Sequence, residues 1–271
     1  MKSILKTIIH KILSARGYKL QRLSVASHEF VNFSNLAHGY EESLNQQNIH
    51  IPSNKLRHSL LAKLLGTSPY EAYYIIRFLH ETRGLDGAVC EFGVAQGLTS
   101  TLIANEISAY NNKILHLFDS FQGLPSPTAK DVLIDDISNL GSISAYSGKM
   151  SYPVSSVKNN LSSISFPNNR YVVHKGFIEQ MDKTDSSLPR KVSFAYIDLD
   201  FYEPIKTALY YLHSILVQGG AIIVDDYDFF SSGAKSAVDE FLSEQNSTTS
   251  TYSYLVPNEF YGHFAVIRRL L

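Results

Sequence analysis

"VSFAYIDLDFYEPIKTALYYLHSILVQGGAIIVDD", residues 192–226, carries the decision about the fold. It begins with Val192–Ile197, a short apolar run suited to a strand buried on both faces. Pro204 then starts a helix, since its ring suits the first helical turn, where the N–H it lacks would be unpaired anyway. Ile205, Ala208, Leu209, Leu212 and Leu216 recur at the helical period and form one apolar stripe. Gly219-Gly220 turns the chain into a second apolar run, Ala221–Val224. Strand, striped helix and strand together make a parallel β-α-β unit.

Outward from this unit the alternation continues. Ala88–Phe92, Ile114–Phe118 and Tyr171–His174 are further strand-like runs, so the chain reads as an α/β domain with crossover helices on both faces of a parallel sheet. After residue 230, Ser231 or Ser232 caps a helix that turns Ala234, Val238, Phe241 and Leu242 inward. "YSYLV" and "FAVIRRL" about a "PNEFYG" turn predict an antiparallel hairpin at the sheet edge. Upstream, "SPYEAYYIIRFLHETRG", residues 68–84, predicts a helix with Ser68 as N-cap, Pro69 at its first position, Glu71 closing a capping box and Gly84 as the stop.

Residues 1–55 stand apart. "MKSILKTIIHKILSARGYKL" places Ile4, Leu5, Ile8, Ile9, Ile12 and Leu13 on one helical face and Lys2, Lys6, Lys11 and Arg16 around the other. Such a helix suits docking on the domain, on a second subunit, or on an anionic membrane surface. Residues 38–55 are polar and turn-rich and are expected to be a linker or cover, which leaves 56–271 as the enzyme-sized domain. Within it, residues 123–168 are too long for an ordinary connection and are expected to form a lid or substrate-binding insertion.

Composition excludes several classes. The formal net charge is −1 and no basic stretch is interleaved with aromatics, so nucleic acid is not an expected partner. Cys90 is the sole cysteine, which rules out an intramolecular disulfide and a cysteine-rich zinc site and fits a reducing compartment. Its place after Ala88-Val89 reads as a packing thiol. No stretch approaches the roughly 18–20 apolar residues of a membrane span. The N-terminus is too interrupted by Lys6, His10 and Lys11 to be a signal-peptide core. A cytoplasmic homo-oligomer is expected, with peripheral contact at the inner membrane face through residues 1–20.

The acidic residues collect where strands end. Glu91 lies in the first strand, Asp119 closes the second, Asp198 the fourth, and Asp225 and Asp226 the fifth. Ligands of open parallel sheets bind at those carboxyl ends, and so many carboxylates along one edge call for a cationic ligand. "EFGVAQG" puts Gly93 and Gly97 in a strand-to-helix turn where a ligand can approach the backbone. Asp119, 22 residues beyond Gly97, is placed to accept hydrogen bonds from a ribose diol. The turn lacks the G-x-G-x-x-G dinucleotide fingerprint, which weighs against a nicotinamide-dependent oxidoreductase, the alternative enzyme reading. A non-catalytic cofactor-binding or assembly module is the alternative outside enzymology. Asp200 is expected to orient its loop, His174 to be structural, Tyr202 and Tyr227 to pack, and His213 to face solvent.

"CEFGVAQGLTS", "LFDSFQGLP", "VHKGF", "AYIDLDFYEPIKTAL", "GGAIIVDDYDF" and "GAKSAVDEFL" resemble, in order and spacing, the TylF/MycF/NovP family of S-adenosylmethionine-dependent O-methyltransferases, from about residue 85 to about 245. The resemblance implies a class I methyltransferase, Rossmann-like fold: a mostly parallel seven-stranded sheet with a C-terminal antiparallel hairpin. It implies two cofactors, S-adenosyl-L-methionine held by Glu91, Gly93, Gly97, Asp119 and Ser120, and Mg²⁺ held by Asp198, Asp225 and Asp226. The implied acceptor is a sugar hydroxyl on a glycan, a nucleotide sugar or a glycosylated small molecule. Related catechol-type enzymes carry a base lysine three positions after the first metal aspartate; that position is Phe201 here, which leaves Asp198 as the expected base.

Overall fold

The computed structural model describes residues 25–182, 184–257 and 263–271. The expected helix of residues 1–20 and the tip of the C-terminal turn lie outside the described residues. Seven strands, β1 Ala88–Phe92, β2 Leu115–Asp119, β3 Tyr171–Lys175, β4 Val192–Ile197, β5 Leu216–Val224, β6 Tyr252–Leu255 and β7 Ala265–Arg269, form one sheet in the order β3-β2-β1-β4-β5-β7-β6. All pairs are parallel except those made by β7, which runs antiparallel to both β5 and β6.

Side-chain alternation sorts the strands onto two layers. Cys90, Phe92, Ala195, Ile197, Ile222 and Val224 pack under α6, Tyr202–Ile215, and α7, Ser232–Gln245. Val89, Leu115, Leu117, Phe194, Tyr196, Ala221 and Ile223 face the opposite layer, built from α3, Pro69–Glu81, α4, Leu98–Ile107, and α5, Val154–Ser163. Cys90 is fully buried, and burial pushes its thiol far above the ordinary range. It is a packing residue.

The stretch that decided the fold behaves as its pattern requires, with one difference. The chain leaves α6 directly into β5, so Gly219-Gly220 lies within the strand rather than before it. Val192 pairs with Leu216 but Phe194 pairs with Ala221, so three extra residues are looped out of β5. Gly219, at φ 78°, supplies the backbone conformation that this bulge needs.

The N-terminal layer also differs from expectation. Helix α1 spans Val25–Gln46, so residues 38–46 are helical rather than linker. Tyr40, Leu44, Ile49 and Ile51 are buried against Ala72, Ile76 and Leu102, while α2, Arg57–Leu61, contributes Leu60 and Leu61. Arg57 fixes this layer to the body: fully buried, it donates from Nε and Nη2 to the two oxygens of Glu106 at 2.9 and 2.7 Å and also pairs with Glu41. His80 reaches Glu106 at 2.8 Å. The Glu106 charge is thus compensated from two sides, as a buried carboxylate requires.

Residues 123–168 divide in two. Residues 154–163 form α5, whose Val157 and Leu161 belong to the core and not to a lid. The preceding loop docks over the ends of β4 and β5. Buried Tyr146 meets Phe230 edge-on at 4.8 Å and Phe230 stacks with Phe201 at 6.0 Å. Asp131 accepts from the Tyr202 amide at 2.7 Å, and the Ile134 amide donates to Phe230 O at 3.0 Å.

Candidate active site

Strand order reverses between β1 and β4, and the chemistry gathers at that switch point. The Asp198 amide donates to Phe92 O at 2.7 Å and the Asp225 amide to Ile197 O at 2.8 Å, so sheet pairing continues through both aspartates. The two-residue repeat then fixes their direction. Glu91 follows Val89, Asp119 follows Leu117, Asp198 follows Tyr196 and Asp225 follows Ile223, so all four carboxylates emerge on the face covered by α3, α4 and α5.

A cleft opens over Phe92, Gly93, Ala95, Phe118, Asp119, Ser120, Gly176–Glu179 and Asp198–Asp200, with Leu124, Pro125 and Met150 of the docked loop on its rim. A second hollow, lined by Glu91, Val94, Gln96, Thr99 and Leu65, shares Gly93, Ala95 and Asp198 with it. No described Lys or Arg lines either one.

Each expected cofactor residue has a defined place. Gly93 has φ +84° and abuts the Asp198 backbone. The Glu91 carboxyl is buried with Oε2 unpartnered, and burial pushes it up to about 8. Asp119 does more than line the cleft: Oδ2 accepts from the amides of Val94 and Ala95 at 2.7 and 2.9 Å, and Oδ1 from Phe121 N at 2.5 Å. It therefore ties the β1 loop to the β2 loop, and Ala95 and Phe121 are held at φ 46° and 53°. Ser120 Oγ donates to Gly123 O at 2.9 Å and shapes the same turn. Gly97 faces α5, not the cleft: a Cβ there would approach Val157 Cα to 3.0 Å.

Among the described residues, one group has metal-ligand geometry. Asp198, Asp200 and Asp226 each offer an oxygen, all within 4.8 Å of one another. Asp200 and Asp226 adopt φ 61° and 54°, left-handed values that turn their side chains back over the strand ends. Burial and the neighbouring aspartates push Asp198 and Asp226 well above the carboxylate range and Asp200 up to about 7. Asp225, expected as a ligand, stands outside that group: Oδ2 accepts from Tyr196 OH at 3.0 Å and Oδ1 from the Asp226 amide at 2.8 Å. Asp200, expected only to orient the loop, is inside it.

Glu71 is the residue that sequence reasoning misplaced. Ser68 Oγ does accept from the Glu71 amide at 3.1 Å, but the Glu71 carboxyl is turned into the core and meets Asp225 instead of returning to the Ser68 backbone. A capping-box spacing and an inward-facing acid look alike in sequence.

The remaining expectations resolve as packing. His174 stacks on Phe118 at 4.4 Å and its Nε2 meets His116 Nδ1 at 2.9 Å. Tyr202 OH bonds Glu240 and Lys206, and Tyr227 OH bonds Asp239 and Lys235, so neither hydroxyl is offered to the cleft. His213, expected to face solvent, instead pairs with Tyr252 OH at 2.9 Å. Phe201 is 1% exposed in the Tyr146–Phe230 cluster and adds shape alone.

A seven-stranded sheet of this order, with an acid-lined cleft across its switch point, defines the class I methyltransferase fold. Residues 78–253 match the model of the macrocin-O-methyltransferase (TylF) family, and the chain belongs to that family of O-methyltransferases. Among solved structures it is similar to the O-methyltransferase NovP, at 16% identity and a TM-score of 0.64 over 90% of this chain and 100% of that one. It is also similar to CalS11, a calicheamicin methyltransferase, at 19% identity and a TM-score of 0.57 over 93% and 98%. At these identities the likenesses show the fold. No curated protein matches the chain. Family membership implies S-adenosylmethionine as methyl donor and sets aside the nicotinamide-dependent alternative.

Proposed function

We propose that the protein transfers a methyl group from S-adenosylmethionine to a sugar hydroxyl at a site that also holds a divalent cation. The observation that carries this reading is the convergence of Asp198, Asp200 and Asp226 on one point beside Gly93, with no described basic residue lining the cleft to balance them. A cluster of hard oxygen donors suits Mg²⁺. Asp198 and Asp226 are its ligands in this proposal, with the third carboxylate drawn from Asp200 or Asp225. The sugar acceptor is supported by the family, and by CalS11 being a TDP-rhamnose 3′-O-methyltransferase.

S-adenosylmethionine, when bound, would supply a reactive sulfonium-bound methyl group, and a cation held by these carboxylates would polarise a hydroxyl and lower its pKa. The chain's own residues do the rest. Gly93 lines both the cleft and the hollow and lets the β1 loop close against the Asp198 backbone, and Glu91 has an unpartnered oxygen for a donor N–H. Asp119 fixes both cofactor loops while lining the cleft. Asp198, half-buried between the cleft and the hollow, takes the acceptor proton. Orientation supplies most of the rate, because the donor is already reactive.

The test is mass spectrometry of products after incubation with S-adenosylmethionine, Mg²⁺ and a panel of nucleotide sugars, glycans and glycosylated small molecules. Methylated product that disappears in EDTA and returns with Mg²⁺ is the expected result. Full turnover in excess EDTA overturns the cation, and cofactor binding without any product leaves the non-catalytic reading in its place.

A further inference from the structure

Glu71 lies upstream of the segment that matches the family, on α3. Its carboxyl is 1% exposed and Oε1 has no partner. A buried polar atom without a partner is rare and costly, and helix capping does not account for it, since Ser68 caps α3 through the Glu71 amide alone. The carboxyl is directed at the sheet face from which Asp198 and Asp225 emerge and is in side-chain contact with Asp225. Tyr196 OH holds the same aspartate at 3.0 Å. Asp225 therefore has two buried polar neighbours, one from the sheet and one from the N-terminal helical layer, and its own Oδ1 closes on the amide of Asp226.

We propose that Glu71 is a positioning residue of the active site: with Tyr196 it fixes Asp225, and through the Asp225–Asp226 turn it sets the place of Asp226 among the cation-binding carboxylates. The inference rests on the cation reading above and extends it to a residue outside the family motifs. Outer-layer partners that orient metal ligands typically contribute 10- to 100-fold in metal affinity, which sets the scale of the effect. The same placement couples the N-terminal layer to the site, because Glu71 is flanked on α3 by Ala72 and Ile76, which pack against α1, and lies one helical turn before Ile75, which packs on the sheet.

The test compares full-length wild type, Glu71→Gln and Glu71→Ala. Free Mn²⁺ is followed by electron paramagnetic resonance, S-adenosylhomocysteine binding by calorimetry, and melting is recorded in EDTA and in saturating Mn²⁺. Glu71→Ala is expected to bind Mn²⁺ at least tenfold more weakly with unchanged S-adenosylhomocysteine affinity, and Glu71→Gln, which keeps shape and a donor, to retain most of the affinity. In EDTA both variants are expected to melt no lower than wild type, because a buried acid among acids has been removed; their Mn²⁺-induced gain in melting temperature shrinks. Wild-type Mn²⁺ affinity in both variants overturns the proposal, as does a lower melting temperature that is equal with and without Mn²⁺, the mark of a purely structural role. Absence of Mn²⁺ binding by wild type itself would overturn the cation reading beneath it, so the two failures are distinguishable.

Discussion

A Cβ placed on Gly93 would lie 1.6 Å from the backbone oxygen of Asp198. The β1 loop and Asp198 thus meet backbone to backbone at the point where strand order reverses, and the positive φ of Gly93 is what lets them meet.

Gly93→Ala should accordingly cost about 2 kcal/mol or more, from left-handed strain and displacement of the Asp198 backbone. Urea unfolding reads the stability and calorimetry the cofactor affinity, which should fall with it. Wild-type stability in this variant would mean that the two backbones separate without consequence.

Asp119→Ala is expected to weaken two properties together. Three backbone amides lose their acceptor, so stability should fall by about 1–3 kcal/mol and S-adenosylhomocysteine affinity should fall too. A loss of affinity at unchanged stability would show that the carboxylate serves the ribose alone.

Tyr196→Phe removes the hydroxyl that donates to Asp225 and nothing else. Stability should change by about 1 kcal/mol, whereas Mn²⁺ affinity and turnover should each drop about tenfold or more. Equal activity in the two proteins would detach Asp225 from the reaction.

The acid cluster predicts an unusual pH dependence in chelator. Asp198, Asp200, Asp225 and Asp226 are all raised in the folded protein, Asp200 to about 7, with Glu91 at about 8. Between the ordinary carboxylate range near pH 4 and pH 7–8 the folded state therefore holds more protons than the unfolded chain, and stability must fall as pH rises through that window. Melting in EDTA should drop on the order of 5 °C from pH 5 to pH 8, and saturating Mg²⁺ should flatten the slope. A melting temperature that rises with pH in EDTA would contradict it.

Deletion of residues 1–20 should leave turnover on a soluble acceptor nearly intact. Among the described residues, Tyr40, Leu44 and Arg57 anchor the N-terminal layer, and they lie downstream of that segment. A folded, cofactor-binding truncation without activity would give residues 1–20 a part in the site.

The sheet was legible because its strands are buried on both faces and read as apolar runs: β1 and β4 begin and end where their patterns do. The N-terminal layer was not, because among its described side chains α1 fully buries a thin stripe through Ala37, Tyr40 and Leu44, and the rest of residues 38–46 are as polar as a linker. At the site, the strand-end acids were visible as residues but not as a set. Whether Asp200 or Asp225 joins Asp198 and Asp226 depends on left-handed backbone at Asp200 and Asp226, for which neither residue carries an unambiguous local signal. Glu71 was hidden by a spacing that serves capping equally well.

The shared face of Glu91, Asp119, Asp198 and Asp225 constrains how this chain can change in length. Inserting or deleting one residue inside the regularly paired stretches Val89–Phe92, Leu115–Asp119, Phe194–Ile197 or Ala221–Val224 would swing that strand's terminal acid through the sheet to the α6–α7 side, whereas a change of two would restore the face at a different height. Changes in length are therefore best absorbed in connections such as residues 123–152 or in a bulge such as that of β5, and the paired stretches are held to a parity, odd or even, as strictly as to any residue type.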